Sequence, residues 1–160
     1  MPDAPIPEPS QSRTSRTPRQ RWMAVLARAT AGEIAARLDS TGPLPSHRRL
    51  RGPDAGLVMV RGRAGGAGDA FNLGEMTVTR CTVRTETGRV GHAYVAGRDA
   101  RQAELAALVD ALLQDPARNP ALMRDVVQPL AAMQQARADL TARRAAATQV
   151  QFFTLATMRS

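Results

Sequence analysis

The chain contains no lysine, so all 22 of its basic residues are arginine. That absence excludes a Schiff-base lysine, a Walker-type phosphate lysine and an ammonium general acid. Cys81, the one cysteine, can neither close an internal disulfide nor supply a thiolate pair for zinc, which agrees with a reducing compartment. The two histidines, His47 and His92, have no carboxylate or cysteine at metal-ligand spacing, so no metal site is expected. Aromatic residues make up 3% of the chain, leaving few stacking platforms for single-stranded nucleic acid. No apolar run approaches the roughly 18 residues of a membrane span, and the N-terminus lacks the apolar centre of a signal peptide. A cytoplasmic protein without membrane contact is expected.

What the chain does have is a net charge of +8. Arginine's planar fork suits phosphates and carboxylates, so an acidic or phosphorylated partner fits this balance. An arginine-rich nucleic-acid-binding module is the alternative, but the charge forms no single stripe and residues 101–115 are net negative. With 160 residues, one core and about one domain are expected. Residues 1–18 are rich in Pro, Ser and Thr and read as a disordered tail, leaving 19–160 as the folded part.

Local patterns predict an α+β fold: an N-terminal helical hairpin, a four-stranded antiparallel meander and C-terminal helices. Thr17 with Gln20, and Thr30 with Glu33, read as two capping boxes, each followed by apolar residues at helical spacing. These stripes are Trp22, Val25, Leu26 and Ala29, then Ile34 and Leu38, with Gly42-Pro43 as the stop. "HRRLR" and "GLVMVRG" read as two strands turned by "GPDAG", and "FNLGEMTVTRCTVRT" and "RVGHAYVAG" as two more joined by "ETG". Phe71 and Leu73 differ in parity from Met76 and Val78, which predicts a bulge or bend near Gly74-Glu75. Asp99 and Gln102 form another capping pair, opening a helix with Leu105, Leu108, Val109, Leu112 and Leu113 as its apolar face. Asn119 and Pro120 cap and start a last helical region running through Leu140, which Pro129 should kink or split.

The glycine-rich run after Arg63 holds Gly65, Gly66 and Gly68, but it lacks the lysine, the third glycine and the following helix of known phosphate loops. A hairpin connection is the plainer reading, with a backbone nest helped by Arg61 or Arg63 as the functional one. Cys81 lies mid-strand, where a small buried residue is usual, and a triad with His92 has no support. Asp99 reads as a cap and Glu104 as a first-turn acid favoured by the helix dipole. Glu75, at the proposed bulge, is the carboxylate hardest to assign a purely structural role. No self-sufficient active site emerges. The closing segment with Phe152, Phe153, Leu155 and Met158 reads as a partner-binding surface, too apolar for so small a core to bury.

"RQRWMAVLARA", "GRAGGAGDAFNLGEMTVTRC", "GHAYVAGRD" followed by "AELAALVDALLQ", and "VQFFTLATMR" together resemble the PhnG family of the bacterial carbon-phosphorus lyase system, from about Arg19 to Arg159. The resemblance implies an accessory subunit acting with PhnI, PhnH and PhnL. In the reaction a phosphonate displaces adenine from MgATP, leaving an α-D-ribose 1-phosphonate 5-triphosphate. It also implies a core complex with PhnH, PhnI and the radical subunit PhnJ, PhnI being the closest partner. MgATP would be a substrate of the complex, and no cofactor is implied for this chain alone.

The family's glycine cluster falls on Gly65, Gly66 and Gly68, its strand motif on Phe71, Gly74, Glu75, Thr77, Thr79, Arg80 and Cys81, and its second turn on Gly97, Arg98 and Asp99. No catalytic residue carries over. Arg61, Arg63, Gly65, Gly66, Gly68, Glu75, Arg80 and Arg98 are therefore candidate phosphate or subunit contacts. Many members carry histidine where this chain has Gln102, which weakens any histidine catalyst there and leaves glutamine as the cap's partner. Deleting residues 152–160 is expected to lower recovery of a co-expressed complex on size exclusion more than it lowers the thermal stability of the isolated chain.

Overall fold

The computed structural model describes residues 16–63 and 69–148. The two predicted capping boxes are both formed, on helices α1 (Pro18–Leu26) and α2 (Ala31–Leu38). In each, a threonine hydroxyl accepts from the N3 backbone N–H while the N3 side chain accepts from the threonine N–H. Trp22, Leu26, Ala29, Ile34 and Leu38 are buried, as their spacing requires. A single 3-10 turn, Asp39–Thr41, ends α2, and Gly42 takes the left-handed φ of 84° that redirects the chain.

The sheet has three antiparallel strands in the order β1-β2-β3, not four: β1 (His47–Gly62), β2 (Phe71–Thr85) and β3 (Val90–Ala96). "GPDAG" does not reverse the chain. Register shifts between Arg49 and Arg51, and between Arg51 and Asp54, absorb the irregular residues as bulges, with Gly52 at a φ of 66°. Proline has no N–H for the ladder, and the unbroken β2 opposite offers one continuous partner, so the chain bends without turning. The bulge expected near Gly74-Glu75 falls on Leu73, because Val60 pairs with Gly74 while Arg61 pairs with Asn72.

Helix α3 (Ala100–Leu113) crosses the inner face of the sheet and is buried almost all round. Thr79, Cys81, Val83 and Thr85 of β2, with Ala93 and Val95 of β3, face it and are buried. The approach is closest at Gly91, where a Cβ would overlap the Ala107 carbonyl oxygen and stand 2.5 Å from the Ala111 nitrogen. Only glycine fits there, for want of space and not for backbone freedom.

Asp99 caps α3 by accepting from the Gln102 N–H at 2.9 Å. The Gln102 side chain does not close a box; its amide donates to the carbonyls of Ala27 and Ala29 at 3.2 and 2.6 Å, holding the α1–α2 junction to α3. The end of α1 presents carbonyls without helical partners, and a buried amide satisfies them better than solvent can reach them. Asn119 likewise is no N-cap. It opens helix α4 (Asn119–Leu122), which has no side-chain cap, and its amide donates to the Leu113 carbonyl at 2.7 Å.

A π turn (Met123–Val127) then leads into α5 (Gln128–Ala147). Pro129 stands in the first turn of α5, where its missing N–H costs little, so the expected interruption takes the form of a widened turn just before it. Leu122, Val126, Val127 and Leu130 are buried, but Leu140, expected on the same stripe, is exposed because α5 has by then left the body of the protein.

One side chain links these layers. Asp110 is fully buried, and its carboxylate accepts from Arg19 at 3.1 and 2.7 Å, from Trp22 Nε1 at 2.9 Å and from the His92 backbone N–H at 2.9 Å. The His92 N–H lies on the free side of β3, and Gln114 donates to the neighbouring Val90 carbonyl at 2.8 Å, so α3 satisfies part of that sheet edge. Replacing Asp110 with alanine strands the Trp22 and His92 donors and the Arg19 charge together. The expected loss is about 3–5 kcal/mol by urea denaturation of the full chain; a loss below about 1 kcal/mol would show that the carboxylate does not hold these layers.

Candidate functional site

The predicted residues are not drawn into one place. Arg61 spends its guanidinium inside the β1–β2 hairpin, donating to the Ala70 carbonyl at 3.1 Å. Arg63 and Glu75 are exposed near its tip, and Arg98 is exposed in the turn after β3. Arg80 lies on the outer face of the sheet, directly opposite Asp54 on one side and Tyr94 on the other. Its Nε is buried with no hydrogen-bond partner among the described residues, an arrangement that costs on the order of 1–3 kcal/mol until something accepts from it. Gly65, Gly66, Gly68, Phe152, Phe153, Leu155 and Met158 lie outside the described residues.

Strand alternation separates Cys81 from His92. Cys81 points into the core beside Ala93, while His92 is on the outer face, 3.1 Å from the Thr82 hydroxyl. Burial pushes the Cys81 thiol up, with Glu104 adding to the effect, so it behaves as a small core residue and not as a nucleophile. Among the described residues, no three His, Cys, Asp or Glu side chains gather as a metal site would need.

The cluster that does form was not foreseen. Glu104, expected in the first turn of α3, lies in its second turn; it accepts from Arg49 Nε at 2.9 Å and lies 3.2 Å from His47 Nε2. The Arg49 hydrogen bond, more than His47, holds the Glu104 carboxyl below the usual carboxylate range against the opposing effect of burial. This ties the start of β1 to α3 across 55 residues. The only hint in the sequence is that His47 and Arg49 share parity on one strand. Both contacts fall on one oxygen of the carboxylate and tie strand to helix, so the residue reads as a clamp.

Two parts of the molecule carry surface that the core does not use. Beyond the last β2–β3 pair, Val78 with Ala96, the hairpin continues as a two-stranded ribbon from Leu57 to Gly62 and from Phe71 to Thr77. Directly paired residues share a face, so Leu57 and Met59 lie on one side and Val58 with Met76 on the other. Leu57 is 63% exposed, Leu73 55%, Met59 53% and Phe71 48%. A lone two-stranded ribbon is marginal in water, and this one is apolar on both faces. The second part is α5, exposed throughout from Gln135 to its end. The last ties to the body are Gln134 to the Val25 carbonyl at 2.9 Å and an Arg137–Glu33 ion pair. The free remainder is about as short as helices that are unstable alone.

The family model for the phosphonate metabolism protein PhnG matches residues 17–158. A curated relative from Rhizobium meliloti (strain 1021), named alpha-D-ribose 1-methylphosphonate 5-triphosphate synthase subunit PhnG, is 47% identical over 140 residues, which cover 86% of this chain and 87% of the relative. The match spans the capping boxes, the ribbon, α3 and α5.

Glu104 predicts a pH signature. Its folded pKa is depressed, so its contribution is complete above the unfolded value of about 4.3 and disappears as pH falls through the lower folded value. Arg49 is well exposed, so the pair's contribution is small. Glu104→Gln should therefore lower stability slightly at neutral pH and not at all at strongly acid pH, in paired denaturation curves; a difference independent of pH would contradict the clamp.

Proposed function

The chain belongs to the PhnG family of phosphonate metabolism proteins, and from that membership we propose that it is a subunit of an α-D-ribose 1-methylphosphonate 5-triphosphate synthase, the role named for its relative. In this reading it is a non-catalytic assembly subunit working in the cytoplasm, and its partners are PhnI, most closely, with PhnH, PhnJ and PhnL. MgATP is the substrate of the whole complex, whose adenine leaves as the ribose 5-triphosphate passes to a phosphonate.

The observation that carries the assembly role is the ribbon. Its length is about 20 Å at roughly 3.3 Å per residue, and it presents Leu57, Met59, Phe71 and Leu73 to solvent on a scaffold too thin to bury them. Such surface is stable in water only at a cost, and a partner removes that cost by covering it. The free end of α5 exposes Leu140 as well, and residues 152–160 follow it in the sequence. Arg63, Arg98 and Glu75 lie at or near the ribbon, where they serve as subunit contacts more readily than as a shared phosphate site. Among the described residues no helix is long and apolar enough to cross a membrane.

Co-expression with PhnI, PhnH and PhnJ of the same organism should give one complex on size exclusion that contains this chain; its elution apart from a formed complex would overturn the reading. Burying one large apolar side chain contributes about 1.5–3 kcal/mol. A Leu57→Ser, Met59→Ser double variant should therefore reduce recovery in the complex by about tenfold or more, while the urea midpoint of the isolated chain stays unchanged.

A further inference from the structure

We infer that Arg48 and Arg84 form a polyphosphate-binding site at the end of the sheet opposite the glycine-rich connection. The two arginines are direct cross-strand partners on the outer face. Directly opposed residues of an antiparallel pair bring their Cβ atoms to about 5 Å, and like charges so placed repel. A bound anion turns that repulsion into attraction, because each guanidinium can present a fork to a phosphate oxygen pair.

The surroundings leave both guanidinium groups available. Arg49 is engaged by Glu104, Arg51 by Asp54 at 3.6 Å, and Arg89 by the Gln114 carbonyl at 2.6 Å and Asp115 at 3.9 Å. Neither Arg48 nor Arg84 has a carboxylate within 4.0 Å or a hydrogen-bond acceptor among the described residues. Together they line an open cleft of about 430 Å³, with Ser46, Glu86 and Gly88 at its rim and His47 and Thr85, held by Glu104 and by the β2–β3 turn, completing its lining. That volume lies within the range of small-molecule sites.

The nearby turn amides are already used: the Glu86 N–H donates to the Ser46 carbonyl and the Gly88 N–H to the Thr85 carbonyl. Recognition therefore rests on the two arginines and the Ser46 hydroxyl, and not on a backbone nest. Glu86 is the one opposing charge at the rim. It disfavours a bare polyanion and suits one whose charge is partly neutralised by a divalent cation.

The ligand class is the triphosphate group shared by ATP, ribose triphosphates and inorganic tripolyphosphate. Naming the nucleotide as its source rests on the synthase reading above, whereas the anion site itself does not. Titration of the purified full chain with tripolyphosphate and with ATP, each with and without Mg²⁺, separates the two. Both ligands should bind with similar affinity. Arg48→Gln and Arg84→Gln should each weaken binding by about tenfold or more, and Arg48→Lys, which keeps the charge but loses the fork, by an intermediate factor. Arg48→Lys also serves as the test variant if circular dichroism shows that Arg48→Gln is unfolded. Arg28→Gln, a distant exposed arginine, should have no effect, and Glu86→Gln should tighten binding of metal-free tripolyphosphate.

The proposal fails if the wild-type chain binds neither ligand, or if Arg28→Gln loses as much as the site variants. It also fails if a single-stranded oligonucleotide or an acidic peptide displaces ATP at lower concentration than tripolyphosphate does. Tripolyphosphate binding without preference for ATP, in a chain that does not join the complex, would keep the anion site and reject the synthase reading.

Discussion

The carboxylate of Asp110 organises this molecule. It sits in the last turn of a helix buried nearly all round, and a carboxylate there is tolerable only if it is paired and hydrogen-bonded. Its partners come from α1, through Arg19 and Trp22, and from the free side of β3, through the His92 N–H. The need to satisfy one group thus sets the position of the N-terminal helices against the sheet edge and the seating of α3 beneath it. Gln102 and Asn119 work in the same manner, each filling backbone acceptors left at the end of a helix. Gly91 supplies the complementary steric condition, since the helix can come close enough for these bonds only where the strand lacks a side chain.

A helix fixed in this way covers the inner face of the sheet only as far as β3 extends. The β1–β2 pair runs past it, which leaves the ribbon with apolar residues on both faces and no helix over either. The opposite end carries Arg48 and Arg84 side by side, whereas Arg61 and Arg63 stand at the tip of the apolar ribbon. The ribbon's apolar surface suits a protein partner, and the paired arginines suit an anion. Cys81, Glu104 and His47 lie between them; the His47–Glu104 bond and the burial of Cys81 make that region structural.

Much of the helical part was legible locally. Thr17–Gln20 and Thr30–Glu33 form their boxes because a capping box is closed within four residues and needs no tertiary help. The effect of Pro129 followed from a missing donor, and the bulge beside Gly74 from conflicting parity. The reading of "GPDAG" as a turn failed because proline and glycine report local backbone freedom, and a bulge uses that freedom as readily as a reversal does. Gln102 and Asn119 were read as local caps for a similar reason: the Gln102 side chain satisfies backbone 73 and 75 residues away, and that of Asn119 reaches back to the end of the preceding helix. Asp110 had a visible signal, a lone acid amid Leu, Val and Ala at positions facing the core, but its partners lie 88 and 91 residues away.

Legible along the chain alone were the first three helices and their N-caps, the strand-forming runs, the exclusion of lysine chemistry and, through ordered motifs, the family. These are properties of neighbours along the chain, where propensity, capping and spacing act directly. Only the tertiary structure decided that two runs make one strand, that Cys81 and His92 point to opposite faces, and that Glu104 is held by His47 and Arg49. It alone set Arg48 against Arg84, because cross-strand register depends on which distant residues bury together, and a shift of one residue would send every side chain to the other face.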